Sequence, residues 1–197
     1  AREADLIVAA VQFRHHDKLP AEALAGKTVI DTMNYFPEFD GTFTELDERS
    51  ITSSELVQRH LAGAHVVKAL NNLDSVRLFT TARPAGDAQR SAVALSGDDT
   101  GAKQQAAEFI AAIGYDPVEI GSLAESWRQE AGTPVNVLPY LPIPADGLSD
   151  EEYKTWWATA SGNYVTADRV KELTGQAERT GRVGGSTKDW VGRFPGL

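Results

Sequence analysis

Cysteine is absent from this chain of 197 residues. That excludes disulfides, thiol nucleophiles and cysteine-ligated zinc or iron–sulfur centres. It fits a cytoplasmic protein, which is the expected location. Long apolar runs are missing too. None approaches the ~18 residues of a membrane-spanning helix, and no signal-peptide pattern is present. Positive charge is scarce, with 19 Lys and Arg against 28 Asp and Glu, a net charge of −9. No basic face is evident to neutralise phosphates, which argues against nucleic acid and against anionic membranes as partners. An anionic cofactor stays open, because a few backbone amides and one arginine hold a phosphate locally. Also lacking is a Gly-x-Gly-x-x-Gly turn between a strand and an apolar helix. Gly181, Gly184 and Gly185 do not supply it, since no strand precedes them and no apolar helix follows.

What is present reads as alternating strands and helices. Asp5–Val11, Thr28–Met33 and Val66–Leu70 are near-continuous apolar runs, which suit strands buried on both faces of a parallel sheet. Each run ends in polar residues, where an open α/β sheet binds its ligand. Pro20–Leu24 predicts a short helix ended by Gly26, and Tyr35–Arg49 reads as a loop. Thr52-Ser53-Ser54-Glu55 is a capping box. It opens a helix with Leu56, Val57 and Leu61 on one side and Gly63 as a left-handed terminator. Ser91–Leu95 and Val118–Ile120 read as short strands. Between them Ala106, Phe109, Ile110 and Ile113 recur at helical spacing, with Gly114 as the stop. This alternation predicts parallel crossovers throughout.

The pattern changes after Gly121. Ser122-Leu123-Ala124-Glu125 reads as a second capping box and Ser149-Asp150-Glu151-Glu152 as a third. Pro134, Pro139, Pro142 and Pro144 preclude a regular helix or central strand between those boxes. Thr166–Glu178 predicts an amphipathic helix with Val170, Leu173 and Ala177 in register. The tail from Gly181 reads as extended or mobile.

Four segments, taken in order, resemble the dinucleotide-binding family of F420-dependent NADP oxidoreductases. The oxidoreductase domain of STEAP-type metalloreductases shares that fold. Asp5–His16 resembles the family's fourth strand and following loop, with Phe13-Arg14-His15-His16 similar to a Phe-Arg-Glu-His version. Gly26–Asn34 resembles its "Gly-Lys … Asp-x-x-Asn" strand. Val66-Val67-Lys68-Ala69-Leu70-Asn71 resembles "Val-Val-Lys-Ala-Phe-Asn". Gly97-Asp98-Asp99, a helix, and Gly121-Ser122-Leu123-Ala124 resemble its C-terminal signature. Tyr35 stands where the family has proline. The resemblance implies an α/β fold: a partial Rossmann-like parallel sheet with flanking helices over residues 1–121. A mostly helical, proline-containing region over residues 122–197 would pack on it. The family's opening strand, glycine turn and second strand have no counterpart. Two βαβ units take roughly 60 residues, so the expectation is an enzyme whose first segment lies outside this chain.

The resemblance places the nicotinamide half of NADP, or of NAD, over the strand ends. It implies cofactor contacts from Val11, Gln12, Phe13, His16, Asn34, Leu70 and Asn71. Phe13 would give an apolar wall or pack in the core. His15 and His16 would hold phosphate or a carboxyl, or stand as an exposed pair. Asn34 would touch the ribose or form a turn. Asp31 is expected to be structural, and Lys68, if buried, needs a partner. Trp127, Trp156, Trp157 and Trp190 suit a core or an interface better than a flavin site. No metal site is expected. The implied chemistry is hydride transfer between NADP(H) and a small-molecule acceptor or second cofactor, F420 or a flavin, with no catalytic residue assignable. A homodimer is expected, because an unpaired first strand needs cover. The rival reading is a non-catalytic interaction or oligomerisation module built on this fold.

Overall fold

The computed structural model describes residues 3–180. The tail from Gly181, with Gly184, Gly185 and Trp190, lies outside the described residues. Five strands lie side by side in chain order: β1 (Leu6–Ala9), β2 (Thr28–Asp31), β3 (His65–Ala69), β4 (Ala92–Gly97) and β5 (Asp116–Glu119). β1 to β3 are mutually parallel, in a register that sets Ile7 beside Val29 and Val29 beside Val66.

The expectation of parallel pairing throughout fails at one place. β4 runs antiparallel to β3, with Val67 opposite Gly97 and Ala69 opposite Leu95. The connection fits this pairing. Parallel crossovers are usually made by a helix packed back along the sheet, and the helix in this connection, α5 (Ser75–Thr80), has only six residues. β4 and β5 are parallel again, joined by the 13-residue α6 (Thr100–Ala112).

Successive residues of a strand point to opposite faces, and two buried clusters result. Val29 and Val66 face one, with Leu24, Met33, Tyr35, Val57 and Leu61. Ile30 and Val67 face the other, with Ala102, Ala106 and Ile110 of α6. Val135, Tyr140, Val165, Val170 and Leu173, all from beyond Gly121, are buried in that same second cluster. β1 is not buried on both faces as the run suggested. It is the edge strand, Leu6 and Ile7 are half-buried, and Val8 is 41% exposed.

Helix starts divide into two kinds. Thr52 forms the expected reciprocal box: its hydroxyl accepts the Glu55 amide at 3.1 Å, and its own amide donates to the Glu55 carboxylate at 2.7 Å. The helix α4 (Ser53–His60) follows. Ser149 does the same for α7 (Asp150–Thr159). Ser122 does not. Leu123–Gln129 is a 3-10 helix without a side-chain cap from Ser122, because the Asp98 carboxylate takes the Leu123 amide at 3.0 Å and Glu125 turns to Arg128.

Other departures are local. Gly63 is not left-handed. A Cβ there would stand 3.2 Å from Ala25 Cβ, so its small size serves close approach to the turn after α1 (Ala21–Leu24). The Tyr35–Arg49 loop contains two single-turn helices, α2 (Pro37–Asp40) and α3 (Thr44–Asp47). α2 has proline at its start, where the missing N–H costs nothing. The last helix, α8 (Ala167–Gly175), is capped by Thr166 and ends short of Glu178.

Candidate functional site

At the C-terminal ends of β1 and β2 lies a cavity of about 480 Å³. The β1 side gives Ala10, Val11, Gln12 and Phe13; the β2 side gives Thr32, Met33 and Asn34. Phe36, Phe39 and Asp40 of the α2 segment close it. Asp40 ties these walls together. One carboxylate oxygen accepts the Arg14 amide at 2.9 Å and the other the Phe36 amide at 2.8 Å. Arg14 returns a bond to the Phe39 carbonyl at 2.6 Å.

The floor is held by a buried ion pair. Asp31 and Lys68 are fully buried and 3.3 Å apart. Asp31 also accepts the Met33 amide at 2.9 Å and the Ser54 hydroxyl at 2.7 Å, while Lys68 donates to the Met33 carbonyl. Both backbone polar groups of the cavity-lining residue Met33 are thereby clamped. A buried lysine requires such partners, and Asp31 reaches the first turn of α4 as expected of a structural carboxylate.

Asn34 and Asn71 bond reciprocally across the strand tips. The Asn34 amide donates to the Asn71 carbonyl and the Asn71 amide to the Asn34 side-chain oxygen, both at 3.1 Å. Asn71 is braced from behind, donating to the Gln129 carbonyl at 2.7 Å, and its own carbonyl accepts from Asn136 at 3.0 Å. Leu70, buried in the core, has φ 62°. That left-handed conformation costs a leucine about 1–3 kcal/mol and turns the chain just before Asn71.

The expected site residues therefore separate. Val11, Gln12 and Asn34 line the cavity. Phe13 lines it too, but with its ring 1% exposed and packed on Tyr35 and Phe43 at 5.4 Å. The core alternative holds for that side chain, while its backbone borders the cavity. Leu70 and Asn71 lie one strand over and support Asn34 rather than lining the cavity. His16 lies under the floor, not in it. Its ring stacks on Phe13 at 5.0 Å and its Nδ1 bonds the Phe13 carbonyl at 3.0 Å. His15 is exposed. Trp156 and Trp157 pack on Tyr153, and Trp127 stacks with Arg128 at 4.5 Å. None of these three tryptophans lines the cavity. Sequence reasoning missed Phe36, Phe39 and Asp40, which lie in a segment whose composition reads as loop; Pro37 after an aromatic residue was the available signal. Gln129 and Asn136 gave none.

Tyr35 anchors the α2 segment. Its hydroxyl donates to the Gly41 carbonyl at 3.0 Å and lies 3.2 Å from Asp47. Burial pushes its pKa up to about 12, so the phenol stays neutral at ordinary pH. Among the described residues no group of three or more His, Cys, Asp or Glu is placed to hold a metal ion. No helix among them is long and apolar enough to cross a membrane.

A largely parallel sheet covered by helices on both faces, with a cleft at the strand C-termini, defines a Rossmann-like dinucleotide-binding domain. Comparison with known proteins narrows this. A hypothetical protein from Sinorhizobium meliloti has a structure matching with TM-score 0.59 and 30% identity, over 70% of this chain and 67% of that one. A putative F420-dependent NADP reductase from Arthrobacter sp. FB24 matches with TM-score 0.51 and 28% identity, over 62% and 57%. In sequence, rat metalloreductase STEAP3 is 30% identical over 142 residues, 71% of this chain. The chain belongs to the dinucleotide-binding family that includes F420-dependent NADP reductase-like and STEAP-like proteins. It spans 27% of the metalloreductase's length. No protein-family model matches it.

Proposed function

We propose that the chain carries the nicotinamide-binding part of an NADP-dependent oxidoreductase. Hydride would pass between the nicotinamide and a small acceptor or second cofactor, with F420 and flavin as the candidates. The carrying observation is the composition of the cavity at the ends of β1 and β2. It has peptide edges at Ala10–Phe13 and Thr32–Asn34, a braced amide at Asn34, one carboxylate and no Lys or Arg. That chemistry suits the uncharged or cationic nicotinamide-ribose half and disfavours the pyrophosphate, which a glycine turn and helix N-terminus normally hold. Val11, Gln12 and the Phe13 backbone would border the ring and ribose. Asn34 would bond the ribose or the carboxamide, with Asn71 setting its orientation and Leu70 the turn that brings Asn71 there. His16 would act only through Phe13. The cofactor supplies the hydride chemistry; the protein supplies distance, face and exclusion of water.

The test uses two probes. Reduced nicotinamide riboside carries no phosphate and needs no adenine-side anchor, whereas NADPH presents both halves. Both should bind saturably. Asn34→Ala should weaken both by roughly tenfold, the loss of one hydrogen bond to a buried partner. Oxidation of NADPH should accelerate when F420 or FMN is added. Absence of saturable binding by either probe would overturn the proposal.

A further inference from the structure

A second cavity, of about 410 Å³, lies between α5 and the end of α7 with the segment that follows it. Its wall includes Thr80, Thr81, Arg83, Ser91 and residues 158–164. Ser91 immediately precedes β4, which runs antiparallel to β3. It therefore stands at the same end of the sheet as Asn34 and Asn71, but on the far side of β3.

This cavity is the electrostatic opposite of the first. In a chain of net charge −9, its lining contains no acid and one arginine. Arg83 is half-buried and forms no ion pair among the described residues. Its guanidinium reaches only backbone carbonyls, Ala82 at 3.1 Å and Thr80 at 3.5 Å. The neighbouring carboxylates are engaged elsewhere: Asp74 with Arg77, Asp116 with Arg90, and Asp87 with the Gln89 amide. A second guanidinium stands behind the wall. Arg77 is fully buried, donates to the Trp157 and Ala160 carbonyls, and has a terminal nitrogen, Nη2, without a hydrogen-bond partner among the described residues. The backbone amides of Ser161 and Gly162 donate to no backbone carbonyl among the described residues.

The cavity's shape is built in. A Cβ on Gly162 would come within 2.3 Å of Thr81 and 3.0 Å of Arg77 Cγ, so glycine there lets the segment close onto α5. The Asn163 amide donates to the Leu141 carbonyl at 2.6 Å and holds the segment from the other side.

We infer that this cavity is a second ligand site, taking a small molecule that bears a carboxylate or a phosphate, with Arg83 as the anion-binding residue. An unpaired guanidinium flanked by hydroxyl and amide donors is the donor set that recognises such groups. The inference does not rest on nucleotide binding at the other cavity.

Inorganic phosphate and citrate, titrated separately into the whole chain by calorimetry at low and constant ionic strength, test it. At least one should bind saturably. Arg83→Gln should weaken that binding at least tenfold and Arg83→Lys restore part of it, with melting temperature confirming that both variants fold. Phosphate alone would identify a phosphate ligand and citrate alone a carboxylate. Arg14→Gln, beside the other cavity, should leave the binding unchanged. No saturable binding by either anion, equal binding in Arg83→Gln, or loss in Arg14→Gln instead would overturn the inference.

Discussion

At the scale of single residues, the buried pair of Asp31 and Lys68 is the most consequential interaction near the site. Each partner is fully buried, so removing one leaves an uncompensated charge, which costs about 3–5 kcal/mol. Lys68→Met alone should lower stability by that amount in a urea titration, while Asp31→Leu with Lys68→Met together should recover most of it. Equal losses in the single and double variants would mean that the Met33 peptide clamp, not charge burial, dominates. Tyr35 gives a pH signature. Its folded pKa of about 12 lies above the ordinary value of 10.0, so its proton is held more tightly in the folded state. The associated stability is complete below pH 10 and is lost as pH rises through about 12. Tyr153, also raised to about 12 by burial, adds to the decline. The urea midpoint of Tyr35→Phe should therefore fall less over that range than that of the unaltered chain; an identical fall would contradict the assignment.

At the scale of elements, two sequence patterns that look alike behave differently. Thr52→Ala removes a working cap and should cost about 1 kcal/mol. Ser122→Ala removes a hydroxyl that caps nothing and should stay within about 0.5 kcal/mol. Chemical denaturation of the two variants side by side checks this. Gly162→Ala should destabilise by about 1–3 kcal/mol through overpacking against Thr81. A neutral result would mean that the segment after α7 yields freely. Local chemistry made much of this legible. The boxes at Thr52 and Ser149, the α6 periodicity ending at Gly114, and the presence of all five strands could be read from residue order. What could not be read depended on distant partners. Ser122 loses its role to Asp98, Gly63 serves packing against Ala25, and the direction of β4 is fixed by its pairing with β3. None of these is written in the segment concerned.

At the scale of the whole molecule, the described sheet brings two cavities of opposite character to one end, on either side of β3. The place of the first was legible in residue order, because the polar strand ends at Gln12 and Asn34 border it. It did not reveal that Phe13 and His16 would turn inward, since an aromatic residue after a strand serves a wall and a core equally well. Nor did it reveal Asp40 as the tie between the walls. The second cavity was invisible, because Arg83 and Ser161–Asn163 are about eighty residues apart in the sequence and meet only through the close approach at Gly162. Nicotinamide binding at the ends of β1 and β2 is read most directly by an amide chemical-shift map of the labelled chain titrated with NADPH. Binding there predicts saturable shifts centred on Val11, Gln12, Met33 and Asn34, with smaller ones at Asn71. Shifts confined to other parts of the fold, or none at saturating NADPH, would contradict it.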